Sequence, residues 1–144
     1  MKYLTHSAEE TKAIARELAT TLKGGEFIAL IGDLGAGKTT FSQGLVDALG
    51  SKARVKSPTF TVMNEYRIDP PKNGIVRVIH VDFYRFSKET ELGALSLEDE
   101  MRADTVIVAE WPNVFDREVY EPDIKITLTH KGGDEREIEV ETGD

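Results

Sequence analysis

The stretch Gly32-Asp33-Leu34-Gly35-Ala36-Gly37-Lys38-Thr39 constrains this chain more than any other feature. It follows the apolar run Phe27 to Ile31 and opens into a helical pattern. The spacing fits G-x-x-x-x-G-K-[ST], which carries chemistry when a buried strand precedes it and a helix follows. Glycines reach backbone conformations closed to other residues, so successive N–H groups can converge on one anion. The amino end of the following helix adds partial positive charge at the same place. Lys38 is then positioned to reach the β- and γ-phosphates of a nucleotide, and the Thr39 hydroxyl to ligate Mg²⁺. An ordinary glycine-rich turn is the competing reading, and the strand before and helix after weigh against it.

The rest of the pattern builds around that loop. An apolar run without alternation, as in Phe27 to Ile31, reads as a strand covered on both faces of a parallel sheet. The helix after the loop spans Lys38 to Leu49, with Phe41, Leu45 and Leu49 inward and Gly50 as its stop. Ahead of the strand, Ser7 to Lys23 reads as a helix: Ile14, Leu18 and Leu22 recur every four positions, Ser7 and Glu10 form a capping box, and Gly24 and Gly25 end it. Phe60 to Ile68 alternates around Val62 and Tyr66, and "IDPPKNG" turns the chain into Ile75 to Val81, so these two strands are neighbours. Ser87 to Arg102 is acidic and mostly helical, with Ser96 capping a short second piece. Thr105 to Ala109 is another buried-type strand, and Ile124/Ile126/Leu128 with Ile138/Val140 form a hairpin across "HKGGDE". The expected fold is α/β, a P-loop NTPase-type three-layer domain with a mixed, partly parallel central sheet and antiparallel edge strands. Strand order is not readable from the pattern.

Composition narrows the function classes. A chain of 144 residues, 40% apolar, fits a single domain spanning residues 1–144. No run approaches the ~20 apolar residues of a membrane span, and MKYLTHSAEE lacks the apolar centre of a secretory signal, so a cytoplasmic protein with no membrane partner is expected. The absence of cysteine excludes disulfides, thiolate nucleophiles and Cys-type zinc sites. A formal charge of −8 opposes adhesion to a polyanion, so no direct tight nucleic-acid binding is expected.

Phosphoryl chemistry needs carboxylates at the same sheet edge as the loop, to hold Mg²⁺ and orient a water or hydroxyl. Glu110 follows Thr105 to Ala109 and precedes Trp111-Pro112, the position of a Walker B acid. Asp82 closes the strand ending in His80-Val81 and offers the same geometry if that strand runs parallel to the first. Each competes with the reading of a solvated acid past a strand end. Ser57-Pro58-Thr59-Phe60-Thr61 lies where P-loop proteins often carry a switch that senses the γ-phosphate. His80 reads as a strand-end hydrogen-bonding residue supporting Asp82, whereas His6 and His130 read as structural or solvated. Arg85 reads as a surface ion-pair residue rather than an arginine finger, and Glu89 to Asp104 as a solvated acidic face that is also suited to a basic partner. Trp111 divides between a core residue and one closing the site. The THSAEET segment and the turn Thr129 to Gly133 are candidates for adenine contact.

With these residues in view, the chain resembles the TsaE (formerly YjeE) family of bacterial P-loop ATPases. The likeness rests on GDLGAGKTTF (Gly32 to Phe41), SPTFTVMNEY (Ser57 to Tyr66), HVDFYR (His80 to Arg85), ELGALSLEDE (Glu91 to Glu100) and EWPN (Glu110 to Asn113). It covers the chain from the first helix to Trp111, with little signal in the C-terminal hairpin. Two positions depart from the family pattern, Ser96 where glycine is usual and Met101 where an aromatic is common. The resemblance implies a role in making the threonylcarbamoyl modification on adenosine in tRNA, with the TsaB and TsaD proteins as partners and tRNA met through their complex. It implies Gly35, Ala36, Gly37, Lys38, Thr39 and Thr40 as the ATP loop, and Thr39 and Glu110 as Mg²⁺ contacts. It further implies Asp82 as a residue needed for hydrolysis, Thr59 as a switch-like hydroxyl and Trp111 as an aromatic near the nucleotide.

The expected activity is Mg²⁺-dependent ATP hydrolysis, slow alone and stimulated by partners. A small-molecule kinase using the same loop is the alternative, weakened by arginines too scattered for a lid. A GTP switch commonly carries Asn-Lys-x-Asp, and no asparagine here is followed by lysine.

Overall fold

Every residue of the strand Phe27–Ile31 is buried. The computed structural model describes residues 1–32, 36–55, 63–82, 97–111 and 122–142. In chain order these form β1 (Lys2–Thr5), α1 (Ala8–Ala19), β2 (Phe27–Ile31), α2 (Lys38–Ala48), β3 (Met63–Lys72), β4 (Ile75–Asp82), a 3₁₀ turn at Leu97–Glu100, β5 (Thr105–Trp111), β6 (Ile124–Gly132) and β7 (Glu135–Thr142). The seven strands make one sheet in the order β1-β7-β6-β2-β5-β4-β3. β4, β5, β2 and β6 run parallel to one another; β3 pairs antiparallel to β4 at one edge, and at the other β7 pairs antiparallel to β6 and β1 antiparallel to β7. The mixed sheet with antiparallel edges therefore stands as expected.

Side chains alternate across β2 and β5 and both faces are covered, which explains the unbroken apolar runs Phe27–Ile31 and 106–109. Ile28, Leu30, Val106 and Val108 join one apolar cluster with Leu18 and Leu22, and with Phe41, Leu45 and Leu49 of α2 and its cap. Phe27, Ala29, Ile107 and Ala109 fall on the other face and are buried too. Each large aliphatic side chain removed from water in this way contributes roughly 1.5–3 kcal/mol. The two helices approach closely at Gly44, where an added Cβ would lie 2.9 Å from the Lys12 Cα.

Besides β1, a strand at Lys2–Thr5 that the sequence pattern does not predict and that forms by pairing with β7, three details differ from the sequence expectation. The first helix ends at Ala19 rather than Lys23. The Thr20 and Thr21 hydroxyls donate back to the Glu17 and Leu18 carbonyls, each at 2.7 Å, and tighten the last turn before Gly24 is reached. Its capping box is also shifted by one residue. Ser7 Oγ accepts from the Glu10 N–H at 3.1 Å, but the Glu10 carboxylate accepts from the His6 N–H at 2.9 Å. That backbone bond, followed by the His6 ring, holds the Glu10 carboxyl below its ordinary value. Thirdly, the β3–β4 turn is confined to Asn73-Gly74, with φ of 53° and 82°, and the strand runs on through Pro70 and Pro71 past a register shift. Two successive left-handed residues match the twist of a tight hairpin, so a longer turn is not needed.

The 3₁₀ turn is tied to the sheet through Arg77, whose Nη1 lies 2.6 Å from Glu100 and whose Nε donates to Thr105 Oγ1 at 2.9 Å. The rest of the helix expected over Ser87 to Arg102, with its Ser96 cap, lies largely outside the described residues, as do Phe60 to Val62.

Substituting Gly44→Val forces a branched side chain against the α1 backbone. The expected result is a loss of roughly 1–3 kcal/mol of stability, measured by urea denaturation, because overpacking here cannot be relieved by a rotamer change.

Candidate nucleotide site

The loop leaves β2 under tight steric control. A Cβ at Gly32 would stand 2.7 Å from the Leu128 carbonyl of β6, so only glycine lets the chain turn out of the sheet at this point. Asp33, Leu34 and Gly35 lie outside the described residues. The loop re-enters at Ala36, which is buried, and Gly37, whose φ of 103° starts α2.

The two helices treat their amino ends differently. α1 is capped by Ser7 and carries Glu9 and Glu10 in its first turn. α2 starts at a glycine with no side chain to cap it and has no acidic residue in its first turn. Its aligned peptide dipoles therefore face the loop without a carboxylate of the helix's own to offset them, a suitable arrangement for an external anion. Lys38 is only 9% exposed, and its Nζ donates to the Gly32 carbonyl at 2.6 Å, closing the loop on itself. Thr39 is exposed and Thr40 half-buried on the first turn of α2.

The acids arrive at the same edge through the sheet register. Leu30 pairs with Glu110 on β5, and Glu110 pairs with Asp82 on β4. Because β2, β4 and β5 are parallel, the carboxyl ends of all three lie together, and the condition set for Asp82 is met. Only its backbone is described, which is also true of Trp111; Thr59, Arg85 and the remainder of Ser57 to Thr61 lie outside the described residues. Glu110 is 5% exposed, and its Oε2 accepts from His80 Nε2 at 2.8 Å. The sequence assigns His80 to Asp82, whose side chain lies outside the described structure; the partner that the structure shows for it is Glu110. Residues two apart on one strand share a face with their register neighbours, and that rule brings the β4 imidazole beside the β5 carboxylate.

A cleft of about 90 Å³ continues from the loop and is lined by Ser7, Ala8, Thr11, Gly37, Thr40, Asp134 and Arg136. Arg136 carries no sequence signal, because β7 is an alternating edge-type strand with no local motif. Its Nη1 donates to the carbonyls of Gly133 and Glu135, at 2.9 and 3.0 Å, and a Cβ on Gly37 would lie 3.8 Å from its Nε. A larger groove of about 400 Å³, lined by Met1, Tyr3, Ile14, Leu18 and Val140 among others, shares no residue with this loop. Among the described residues, no three His, Cys, Asp or Glu side chains cluster as a metal cage. No described helix is long and apolar enough to cross a membrane.

A glycine loop rising from a central parallel strand, with acids on the strand beside it, makes this an α/β three-layer protein of the P-loop NTPase-like class. Its fold is similar to the crystal structure of Bacillus subtilis YdiB, with a TM-score of 0.73 and 33% identity, covering 99% of this chain and 86% of that one. The family model described as threonylcarbamoyl adenosine biosynthesis protein TsaE matches residues 5–138. The chain is 38% identical over 138 residues to the tRNA threonylcarbamoyladenosine biosynthesis protein TsaE of Bacillus subtilis (strain 168), covering 96% of this chain and 83% of the relative. Against the protein of the same description from Aquifex aeolicus (strain VF5), identity is 44% over 106 residues, covering 69% and 76%. The chain belongs to the TsaE family, which acts in tRNA threonylcarbamoyladenosine biosynthesis. The family match runs past Trp111 to Ile138, so it includes β6 and the start of β7.

Substituting Gly37→Ala tests the loop conformation. Space is not limiting, since the nearest atom, Leu128 Cδ2, would be 3.6 Å away, but the φ of 103° is closed to alanine. Thermal and urea unfolding are expected to show a cost of about 1–2 kcal/mol from left-handed strain.

Proposed function

We propose that this chain is a Mg²⁺-dependent ATPase whose nucleotide cycle serves the TsaB–TsaD complex in threonylcarbamoyladenosine synthesis on tRNA. The observation that carries this reading is the uncapped amino end of α2 with Lys38 folded over the loop, at the carboxyl end of the buried strand β2. In this reading Gly35, Ala36, Gly37, Lys38, Thr39 and Thr40 hold the phosphates by backbone N–H groups. The Lys38 ammonium exchanges its Gly32 carbonyl for a phosphate oxygen, a stronger acceptor. The Ser7, Thr11 and Arg136 cleft takes the nucleoside end.

Thr39 and Glu110 would hold the magnesium ion. Both offer oxygen donors, which suit a hard cation, and two protein ligands fit an ion that relies on nucleotide phosphates and water for the rest of its shell. When bound, the ion neutralises charge on the β- and γ-phosphates. Asp82 acts in hydrolysis, and Thr59 acts as the switch hydroxyl. Turnover is slow without partners, since no arginine is assigned to the transferred phosphoryl group. The charge of −8 supports tRNA being met through the complex rather than gripped directly.

Calorimetric titration with magnesium–ATP tests the site. Lys38→Ala is expected to weaken uptake by about 10–100-fold, the loss of one charge-assisted bond to phosphate, measured at a temperature where circular dichroism shows the variant folded. Unaltered uptake overturns the assignment. Phosphate release should rise when TsaB and TsaD are added; fast release by the isolated chain, unchanged by them, overturns the partner role.

A further inference from the structure

We infer that His80 is a positioning residue for the metal site: its Nε2–H fixes one oxygen of the Glu110 carboxylate so that the other is presented to the nucleotide-bound ion. This rests on the assignment of Glu110 as a magnesium contact. Nε2 and Oε2 are 2.8 Å apart, and the residues are 1% and 5% exposed. Among the described residues this is the only hydrogen bond that the Glu110 side chain makes, so Oε1 has no protein partner there.

The ring does not serve its own stability. It sits two residues along β4 from Val78 and in register with Val108, where an aliphatic side chain would pack without a polar cost. Its second nitrogen, Nδ1, is buried without a hydrogen-bond partner among the described residues, a situation that ordinarily costs stability. A polar ring held at such a place is explained by what Nε2 does. Among the described residues nothing bonds Nδ1 to compete for the orientation of the ring, and the Glu110 carboxylate sets it. The carboxylate in turn is restrained at one oxygen, which is how outer partners of metal ligands sharpen metal affinity.

The test separates metal presentation from simple packing. Binding of a β,γ-imido analogue of ATP is measured in EDTA and in graded magnesium chloride, for the wild-type chain and for His80→Leu, His80→Gln, His80→Asn and Glu110→Gln. Affinity in EDTA is expected to be shared by all. The magnesium concentration that gives half the metal-dependent gain should rise about 10–100-fold in His80→Leu. His80→Gln places an amide N–H near the Nε2 position and should stay near wild type, whereas His80→Asn reaches only the Nδ1 position and should behave like leucine. If His80→Leu does not fold, the contrast between glutamine and asparagine decides the same point. Magnesium dependence unchanged in leucine and asparagine, or lost equally in glutamine, overturns the inference. A shifted Glu110→Gln beside an unshifted His80→Leu overturns it alone, while an unshifted Glu110→Gln removes the assignment beneath it as well.

Discussion

The pairing of β2 between β5 and β6 is the constraint on which the rest of the molecule depends. A strand bonded on both edges and buried on both faces cannot slide without breaking two ladders and exposing apolar surface, so its carboxyl end is held still. The Gly32 backbone then leaves the sheet against the Leu128 carbonyl, at a distance no side chain allows. The glycine loop therefore starts from a rigid point, and the α2 amino end is aimed by the same core that seats Phe41, Leu45 and Leu49.

From that anchor, charge is distributed unevenly along the chain. α1 satisfies its own amino end with Ser7 and two glutamates, while α2 opens on a glycine and a lysine. The helices have similar lengths and share a face of the sheet, so packing does not account for the difference. It follows from how each terminus is left: α1 carries a protein-made cap, whereas α2 is left open in the way that suits an external anion. Acidic residues are absent from the first turn of α2 and stand instead at the ends of β4 and β5, where Asp82 and Glu110 are brought level by sheet register rather than by chain proximity.

Much of this is legible in the residues. The unbroken apolar run at Phe27–Ile31, the G-x-x-x-x-G-K-T spacing and the Phe41/Leu45/Leu49 repeat are local signals with one physical interpretation each. The hairpin at the carboxyl end and the Asn73-Gly74 turn are also readable, though the turn looks too long in the sequence because two prolines resemble breakers when β3 tolerates them on an edge. Hydrophobic periodicity misplaces the end of α1, because two threonine hydroxyls compete for the last carbonyls and leave no trace in that pattern. His80 is recognisable as a hydrogen-bonding residue but pairs with a different acid, since Glu110 is 30 residues away in the chain and becomes adjacent only through β4–β5 pairing. Arg136 is hidden for the same reason: its nearness to Gly37 exists only once β7 has closed the far side of the sheet.

The sequence by itself determined most of the strands and helices, β1 apart, the glycine loop between β2 and α2, and which acids stand at strand ends, because each depends on residues adjacent or periodic along the chain. The tertiary structure decided the order of the strands, the parallel direction that brings Asp82 and Glu110 to one edge, and the bond between His80 and Glu110. These depend on which surfaces find each other when the apolar faces are removed from water, and that choice is made by the whole core at once.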